Sequence, residues 1–304
     1  MAAKSLSKSE IIRKALEEAR GSWVSYTIEQ ERKIYTLFVQ ASNNLTAEIA
    51  RRTIEGKIPP ARLRILLGQI KAEMDILRPR LRGLIRGAQS KSVDHGLKTA
   101  MMGAKAAMPP TFKVGIGTSF FDKTGKIVRH DAKQETYAAS AWARINGKAM
   151  DALIRTSYGG IAFSRRVWDV TWPVERQIRN QINLAVLTGT SADKVTRSIR
   201  SYLGLPETFR GIAFKEFHPG AGIYRSAYKN ALRLAGTEIN RAFNEGLFRY
   251  GMEKKWVLGY IQHAGSGNPC EDCLDEIGNF FPKDNPPDIP LHPHCYCWAE
   301  VVYK

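Results

Sequence analysis

Apolar side chains recur every three or four residues along most of this chain, which is the spacing of one face of an α-helix. Residues 8–20 predict a short amphipathic helix, and residues 28–55 predict a longer one that ends at Gly56 and the following Ile-Pro-Pro. The longer helix carries its apolar stripe at Ile34, Phe38, Ala41, Leu45 and Ile49. A third helix is predicted from Ala61, and Pro79 is expected to kink it or end it because proline cannot donate the helical hydrogen bond.

The second half of the chain predicts further helices. They cover residues 134–157, a segment that starts at Pro173 and ends at Gly189, a segment with Thr190 or Ser191 as its N-cap, and residues 224–250. The last of these carries small and apolar residues on one stripe, which implies close packing against another helix; they are Leu232, Ala235, Ile239, Ala242 and Gly246.

The pattern as a whole predicts a mainly α fold: a helical body with a short β-hairpin and a small C-terminal Cys/His metal-binding β-rich module. Three regions are expected: a basic N-terminal helical region (1–110), a central mainly helical domain with a β-hairpin near 112–130 (111–250), and the C-terminal cysteine module (251–304). No run of about 18 apolar residues occurs, so no membrane association is expected. The polar N-terminus lacks a signal-peptide core, so the thiols are expected to fold in a reducing cytoplasm.

The charge is unevenly distributed along the sequence. Residues 1–250 carry 42 Lys and Arg against 21 Asp and Glu, whereas residues 251–304 carry 4 against 8. A large positive excess favours a polyanionic partner, either nucleic acid or an acidic protein surface. The basic face is concentrated in the second half of the third helix, and the candidate residues for non-specific binding of double-stranded DNA are Arg78, Arg80, Arg82, Arg86 and Lys91.

All four cysteines lie close to the C-terminus. Cys270 and Cys273 form a CxxC, and His292, Cys295 and Cys297 form an HPxCxC, with 21 residues between Cys273 and Cys295. Two such pairs at this separation are typical of a tetrahedral structural zinc site, because each short spacing lets two ligands approach one ion. Four of these five side chains are predicted to bind zinc, with Cys270 and Cys273 joined by two of His292, Cys295 and Cys297, and the sequence leaves open which one is spare.

Other interpretations of the cysteines remain open. Two disulfides would require oxidising surroundings, and four free thiols are a further possibility. The Pro-Cys-x-x-Cys of a zinc deaminase is present, but no carboxylate follows a nearby histidine by two residues. A zinc nuclease would need a metal-binding helix beyond the second pair, and only seven residues follow Cys297. The sequence therefore predicts no catalytic residue and no small-molecule substrate.

Two further pairs of residues stand out. Glu238 and Arg241 are three residues apart on a helix, where they can form a solvated ion pair, and a role in docking that helix is favoured over catalysis. Trp168 and Trp172, beside Pro173, are predicted to pack in the core rather than to stack on bases.

The C-terminal third resembles the phage head morphogenesis, or minor head, protein family, which includes the minor head protein of phage Mu. The resemblance covers residues 174–302 and rests on an ordered set of motifs: a helix with Thr237, Glu238 and Arg241, a strand with Trp256, the CxxC, Gly278 with two phenylalanines, and the final HPxCxC. This chain has Gly236 where the family usually has an arginine before the Thr-Glu, and Tyr296 where it usually has an arginine between the last two cysteines.

The resemblance implies a virion protein without enzymatic activity. It implies a minor capsid component inside the head near the portal, assembled in the bacterial cytoplasm, with portal protein, major capsid or scaffold protein and packaged DNA as partners. Some relatives carry an additional toxin or transferase domain, which is not expected here because the sequence ends shortly after the cysteines. The alternatives are a Cys/His-zinc nuclease or transferase-type enzyme, and a stand-alone zinc-stabilised DNA-binding protein.

Overall fold

The computed structural model describes residues 8–107, 132–155, 161–203, 226–265, 269–293 and 295–304. The helices are α1 (Lys8–Arg52), α2 (Pro60–Ala107), α3 (Ala132–Arg155), α4 (Phe163–Thr188), α5 (Ala192–Leu203), α6 (Ala227–Glu253) and the single turn α7 (Glu271–Leu274). The strands are β1 (Val257–His263), β2 (Phe280–Pro282) and β3 (Trp298–Tyr303).

The predicted fold class is confirmed, since the described chain is mainly α with a small sheet beside a C-terminal Cys/His cluster. The sheet is antiparallel, in the order β2-β1-β3. Tyr260 of the central strand lies opposite Phe281 on one side and Val301 on the other. The β-hairpin predicted near 112–130 lies outside the described residues.

The chain forms two compact units. Unit 1 contains residues 1–27, 87–156 and 236–304, and unit 2 contains residues 28–86 and 157–235. Each unit is assembled from separate stretches of sequence, whereas the three predicted regions were contiguous stretches. The cysteines and the helix segment that carries Glu238 belong to unit 1.

The two helices predicted over 8–20 and 28–55 are one continuous helix, α1. Gly21 lies between them, but it is exposed and glycine within a helix costs only about 1 kcal/mol relative to alanine. Leu16, Trp23 and Thr27 are fully buried, so the inward-facing stripe continues across the predicted gap. Burial of this stripe outweighs the local preference of glycine.

Neither proline ends a helix. Pro79 lies inside α2 and Pro173 lies inside α4, which begins ten residues earlier than predicted, at Phe163. Each proline removes one backbone hydrogen bond. Pro79 is exposed, and buried leucines at 77 and 81 flank it, so packing of the apolar face holds the helix together. In α4 the buried residues Phe163, Val167 and Val170 precede Pro173, and their packing holds that helix together in the same way.

The predicted boundary between α4 and α5 is confirmed. Gly189 has a φ of 66°, the left-handed conformation that ends many helices, and its N–H donates to the carbonyl of Ala185. The Ser191 hydroxyl accepts from the N–H of Lys194 at 3.4 Å and so acts as the N-cap of α5.

Within unit 1, the close packing predicted for α6 is present. A Cβ atom at Gly96 of α2 would collide with the carbonyl oxygen of Phe243, and one at Gly246 of α6 would collide with that of Val93. The backbones of the two helices therefore approach closely, and glycine is required on both sides. The sheet is bonded to the C-terminal part of the same helix, because the Tyr260 hydroxyl donates to the carbonyl of Phe248 at 3.1 Å.

Candidate metal centre

The first pair of cysteines is presented by the one-turn helix α7. Cys270 is its N-cap, and its carbonyl accepts hydrogen bonds from the N–H groups of Cys273, at 3.1 Å, and Leu274, at 2.9 Å. This tight turn allows two side chains three residues apart to approach one point, as the CxxC spacing predicts.

The second pair is formed by a turn between His292 and Cys295. The N–H of Cys295 donates to the carbonyl of His292 at 3.1 Å. The Nδ1 atom of His292 lies 3.0 Å from the carbonyl oxygen of Pro293, a contact in which Nδ1–H donates. That tautomer leaves the Nε2 lone pair free, and Nε2 is 3.3 Å from the Cys273 sulfur.

The five candidate ligands converge in two overlapping groups. One group is Cys270, Cys273 and His292, and the other is Cys273, Cys295 and Cys297; within each group the ligand atoms lie within 4.8 Å of one another. Cys273 belongs to both, and its sulfur is 3.7 Å from that of Cys295. Sulfurs bound to one tetrahedral zinc are about 3.8 Å apart, given Zn–S bonds of about 2.3 Å. The cluster is thus able to bind a metal ion.

The thiols strongly influence one another. Contacts from Cys273 and Cys297 lower the pKa of Cys295 to about 4, because both stabilise its thiolate. The contact with Cys295 and burial raise the pKa of Cys273. For Cys297 the contact with Cys273 lowers the pKa, but the contact with Cys295 and burial outweigh it and raise the pKa to about 11. A cation that binds all three sulfurs must therefore displace protons.

Two asparagines of α6 hold the segment that carries Cys295 and Cys297. The side-chain amide of Asn240 donates to the carbonyls of both cysteines, each at 2.9 Å. The side-chain carbonyl of Asn244, one helical turn further on, accepts from the N–H of Ala299 at 3.0 Å. Both asparagines are fully buried, so α6 sets the position of the second pair of cysteines.

The side chains of Arg20 and His263 lie against Trp298, the residue that follows Cys297. The Arg20 guanidinium lies over the Trp298 ring at 5.3 Å and donates to the carbonyl of Gly265 at 3.2 Å. Burial lowers the pKa of Arg20 to about 10, which leaves it charged at neutral pH, and the negative charge that Cys297 gains when it loses its proton opposes that shift. The ring of His263 stacks on the same Trp298, and its Nε2 is 2.6 Å from the Glu300 carboxylate.

Sequence reasoning missed Asn240, Asn244 and Arg20. The available signal was two asparagines four residues apart on an otherwise apolar helical stripe, which indicates a buried polar contact rather than a solvated face. Arg20 carries no such signal, because it comes from the opposite end of the chain.

The Thr-Glu motif of α6 is buried, not solvated. The Glu238 carboxylate is fully buried and accepts from the Gln89 side chain of α2 at 2.6 Å, while Arg241 lies 4.0 Å away. Thr237 is also buried. Trp256 immediately precedes β1, and the Lys254 ammonium lies 5.5 Å from its ring. Glu238 thus connects α6 to α2, as expected of a residue that docks a helix.

The five basic candidates for DNA binding lie in different surroundings. Arg80, Arg82 and Lys91 are exposed, and Arg86 is half-buried with its guanidinium 5.1 Å from the Phe163 ring. The prediction that Arg78 binds DNA is wrong. Arg78 is buried and forms ion pairs with Asp75 at 2.8 Å and with Glu175, so it is not available to phosphates.

The prediction that Trp168 and Trp172 pack in the core is wrong. Each is 39% exposed on the outer face of α4. The inner face of this helix is already filled by Val167, Val170 and Val174, so the tryptophans fall on the side that faces solvent.

No helix in the described part of the chain has the length and apolar character needed to cross a membrane. No family model, curated protein or solved structure matches this chain. The cysteine cluster, the helices that hold it and the distribution of charge are therefore the features that bear on its function.

Proposed function

We propose that this chain is a phage minor head protein, a non-catalytic virion component that attaches to the portal and the capsid interior. The observation that carries the proposal is the junction between α6 and the cysteine segment, where Asn240 binds the carbonyls of Cys295 and Cys297. The motifs that carry the resemblance, from the Thr-Glu helix to the last cysteine, belong to unit 1 and include this junction.

The metal centre has a structural role in this proposal, and zinc is the ion. Thiolate and imidazole donors suit zinc, and five candidate ligands for four positions favour a closed site. Cys273, Cys295 and Cys297 are all at least 96% buried, which leaves little room for a substrate beside them. Binding would contribute about 10–16 kcal/mol in a small zinc domain, and here it would hold the C-terminal segment on α6.

In this proposal the basic helices bind the partners of the protein. Portal protein and the major capsid or scaffold protein are the proposed protein partners, and packaged double-stranded DNA is the proposed polyanion. Exposed Arg80, Arg82 and Lys91 can approach phosphates without sequence preference, whereas the acidic C-terminal region is poorly suited to do so.

The test is the metal content of freshly purified, reduced protein, compared with the Cys273→Ser and Cys270→Ser variants. About one equivalent of zinc is expected in the parent. Cys273→Ser should lose most of it, because Cys273 belongs to both groups of ligands. Cys270→Ser shows whether the half-buried thiol is the spare one. A parent without metal would overturn the zinc assignment.

The virion role has a separate test. The protein should co-purify with portal protein from phage particles, and a chain found free of particles would contradict the proposal. Nuclease activity that disappears in a correctly folded His292→Ala variant would instead favour the enzymatic alternative.

A further inference from the structure

Unit 2 contains an open groove between the N-terminal part of α2 and the middle of α4. Its volume is about 470 Å³. Pro60, Leu63 and Leu67 form an aliphatic floor, and three cationic side chains surround it: Arg64, Lys71 and Arg179. No carboxylate is among the described residues that line it. The groove thus combines an apolar floor with a positive rim.

The rim cations are accessible to a new partner. Arg64 and Lys71 are exposed, and Lys71 pairs with Asp75, one turn away on the same helix at 2.5 Å. The Arg179 side chain is 38% exposed and 3.9 Å from Glu175. The Lys71–Asp75 pair is exposed, and exposed pairs contribute about 0–1 kcal/mol, so Lys71 can exchange it for another carboxylate. Glu175 is largely buried and also pairs with Arg78, so Arg179 can meet a partner's carboxylate without leaving Glu175 unpaired.

The helix that supplies Arg179 also exposes large apolar side chains. Trp168 and Trp172 are each 39% exposed, Leu184 is 53% exposed and Leu187 is 84% exposed. The Arg176 guanidinium lies 4.8 Å from the Trp172 ring. Tryptophan and arginine are the residue types enriched at protein interfaces.

We propose that this groove is a docking site for an acidic amphipathic segment of a partner protein. The apolar side chains of that segment would contact Pro60, Leu63 and Leu67, and its carboxylates would meet the rim cations, in the manner of a helix bound in a groove. The inference rests on the proposed attachment role for its biological setting, and it names the surface and the chemistry by which that attachment occurs.

The geometry favours a protein over single-stranded nucleic acid. Proteins that hold single strands stack bases on aromatic rings, but the floor of the groove is aliphatic. Trp168 and Trp172 of α4 are not among the described residues that line the groove, and each ring already has a guanidinium over it: Arg78 at 4.3 Å and Arg176 at 4.8 Å. Aliphatic side chains on a partner match this floor better than bases do.

The binding test uses three fluorescent probes of similar length with purified full-length protein. The first is a helical peptide of leucine and glutamate with one acidic face, the second replaces its glutamates with glutamine, and the third is an oligothymidylate. The acidic peptide should bind at least about tenfold more tightly than the glutamine peptide, as judged by fluorescence anisotropy.

The variant Arg64→Ala with Arg179→Ala should weaken binding of the acidic peptide by at least about tenfold. The matched control is Arg13→Ala with Arg197→Ala, which removes the same charge from exposed positions outside the groove. Lys71→Ala provides a milder variant if the double variant melts at a lower temperature.

Three results would overturn the inference: equal binding of the two peptides, equal losses in the groove and control variants, or tighter binding of oligothymidylate with the same dependence on Arg64. These outcomes are independent of co-purification with portal protein, so failure of the groove and failure of the virion role can be told apart.

Discussion

Asn240 sets the geometry of the cysteine cluster more directly than any other non-ligand residue described around it. Its two amide protons satisfy two carbonyls within the segment 295–297, and a side-chain amide can donate twice in this way without burying a charge. Because the site is buried, loss of Asn240 would remove this donor from the Cys295 carbonyl and leave the Cys297 carbonyl with the longer contact, 3.4 Å, from the Asn244 amide.

Asn240→Leu should therefore destabilise unit 1 by roughly 1–3 kcal/mol, since the leucine keeps the volume but removes the donor to the buried Cys295 carbonyl and leaves Cys297 only its weaker contact with Asn244. Urea denaturation with the metal present measures the change. Asn180→Leu on the exposed face of α4 is the matched control and should stay within about 0.5 kcal/mol of the parent. Equal effects of the two substitutions would show that the Asn240 contacts add nothing.

His95 predicts a pH dependence of stability. It stacks on Tyr26, and burial, followed by the charge of Lys98, lowers its pKa below the usual 6.5. As the pH falls below 6.5 the unfolded chain takes up this proton before the folded chain does, so the folded state loses stability. Well above 6.5 the histidine is neutral in both states and has no such effect.

Replacing His95 with glutamine should remove that part of the acid sensitivity. The difference in melting temperature between parent and variant should be constant well above pH 6.5 and should shift in favour of the variant below it. A constant difference over the whole pH range would contradict the direction of the pKa shift.

The sequence predicted the metal-ligand candidates well because ligand chemistry is local. Each pair of candidates needs only a short spacing, and the structure brings all five together. Asn240 and Arg20 could not be found this way, since their partners lie 55 or more residues away in the chain. Burial of Arg78 was missed for the same reason, because Glu175 lies on another helix.

Helices α1, α2 and α4 are longer than their local sequence predicts. Apolar periodicity located the helices, but the gap predicted between residues 20 and 28 lies within α1, and Pro79 and Pro173 lie inside helices and not at their ends. Propensity is a weak local preference, and burial of a continuous stripe exceeds it. The helix ends that were predicted correctly, such as Gly189, are those where the backbone itself adopts a left-handed conformation.

The contact between α2 and α6 can be tested by adding a methyl group at the glycine that faces α6. Gly96→Ala should destabilise unit 1 by about 1–3 kcal/mol or more, because the new methyl group collides with the Phe243 backbone. Gly87→Ala is the matched control, since a Cβ atom at Gly87, on the same helix, would meet no atom of another described element within 4 Å.

The control should raise stability by roughly 0.5–1 kcal/mol, because alanine restricts the unfolded chain and favours the helix. Urea denaturation measures the free energy of unfolding, which should fall in Gly96→Ala and rise in Gly87→Ala. Stabilisation by both substitutions would show that the helices do not approach as closely as the glycines require.

The whole chain carries a formal net charge of +17, with the net acidic part confined to the C-terminal region. The same excess serves both proposed kinds of partner, because an acidic protein segment and a DNA backbone each respond to it. The two kinds of partner are distinguished by the surface that each would contact. The groove of unit 2 has an aliphatic floor that suits a protein segment, whereas Arg80, Arg82 and Lys91 are exposed positions outside that groove that suit DNA phosphates.

Binding of double-stranded DNA should therefore be insensitive to sequence and steeply dependent on salt. Affinity for a labelled duplex should fall by at least about tenfold between about 50 and about 200 mM salt, because bound counterions are released. Arg82→Ala should reduce the slope of log affinity against log salt concentration by about 1, the loss expected for one phosphate contact. Arg78→Ala should lower the stability of the protein and leave the slope unchanged, since Arg78 is buried in its ion pairs. A flat response to salt, or equal slopes for the parent and Arg82→Ala, would remove DNA from the proposed partners and leave the acidic protein segment as the reason for the charge.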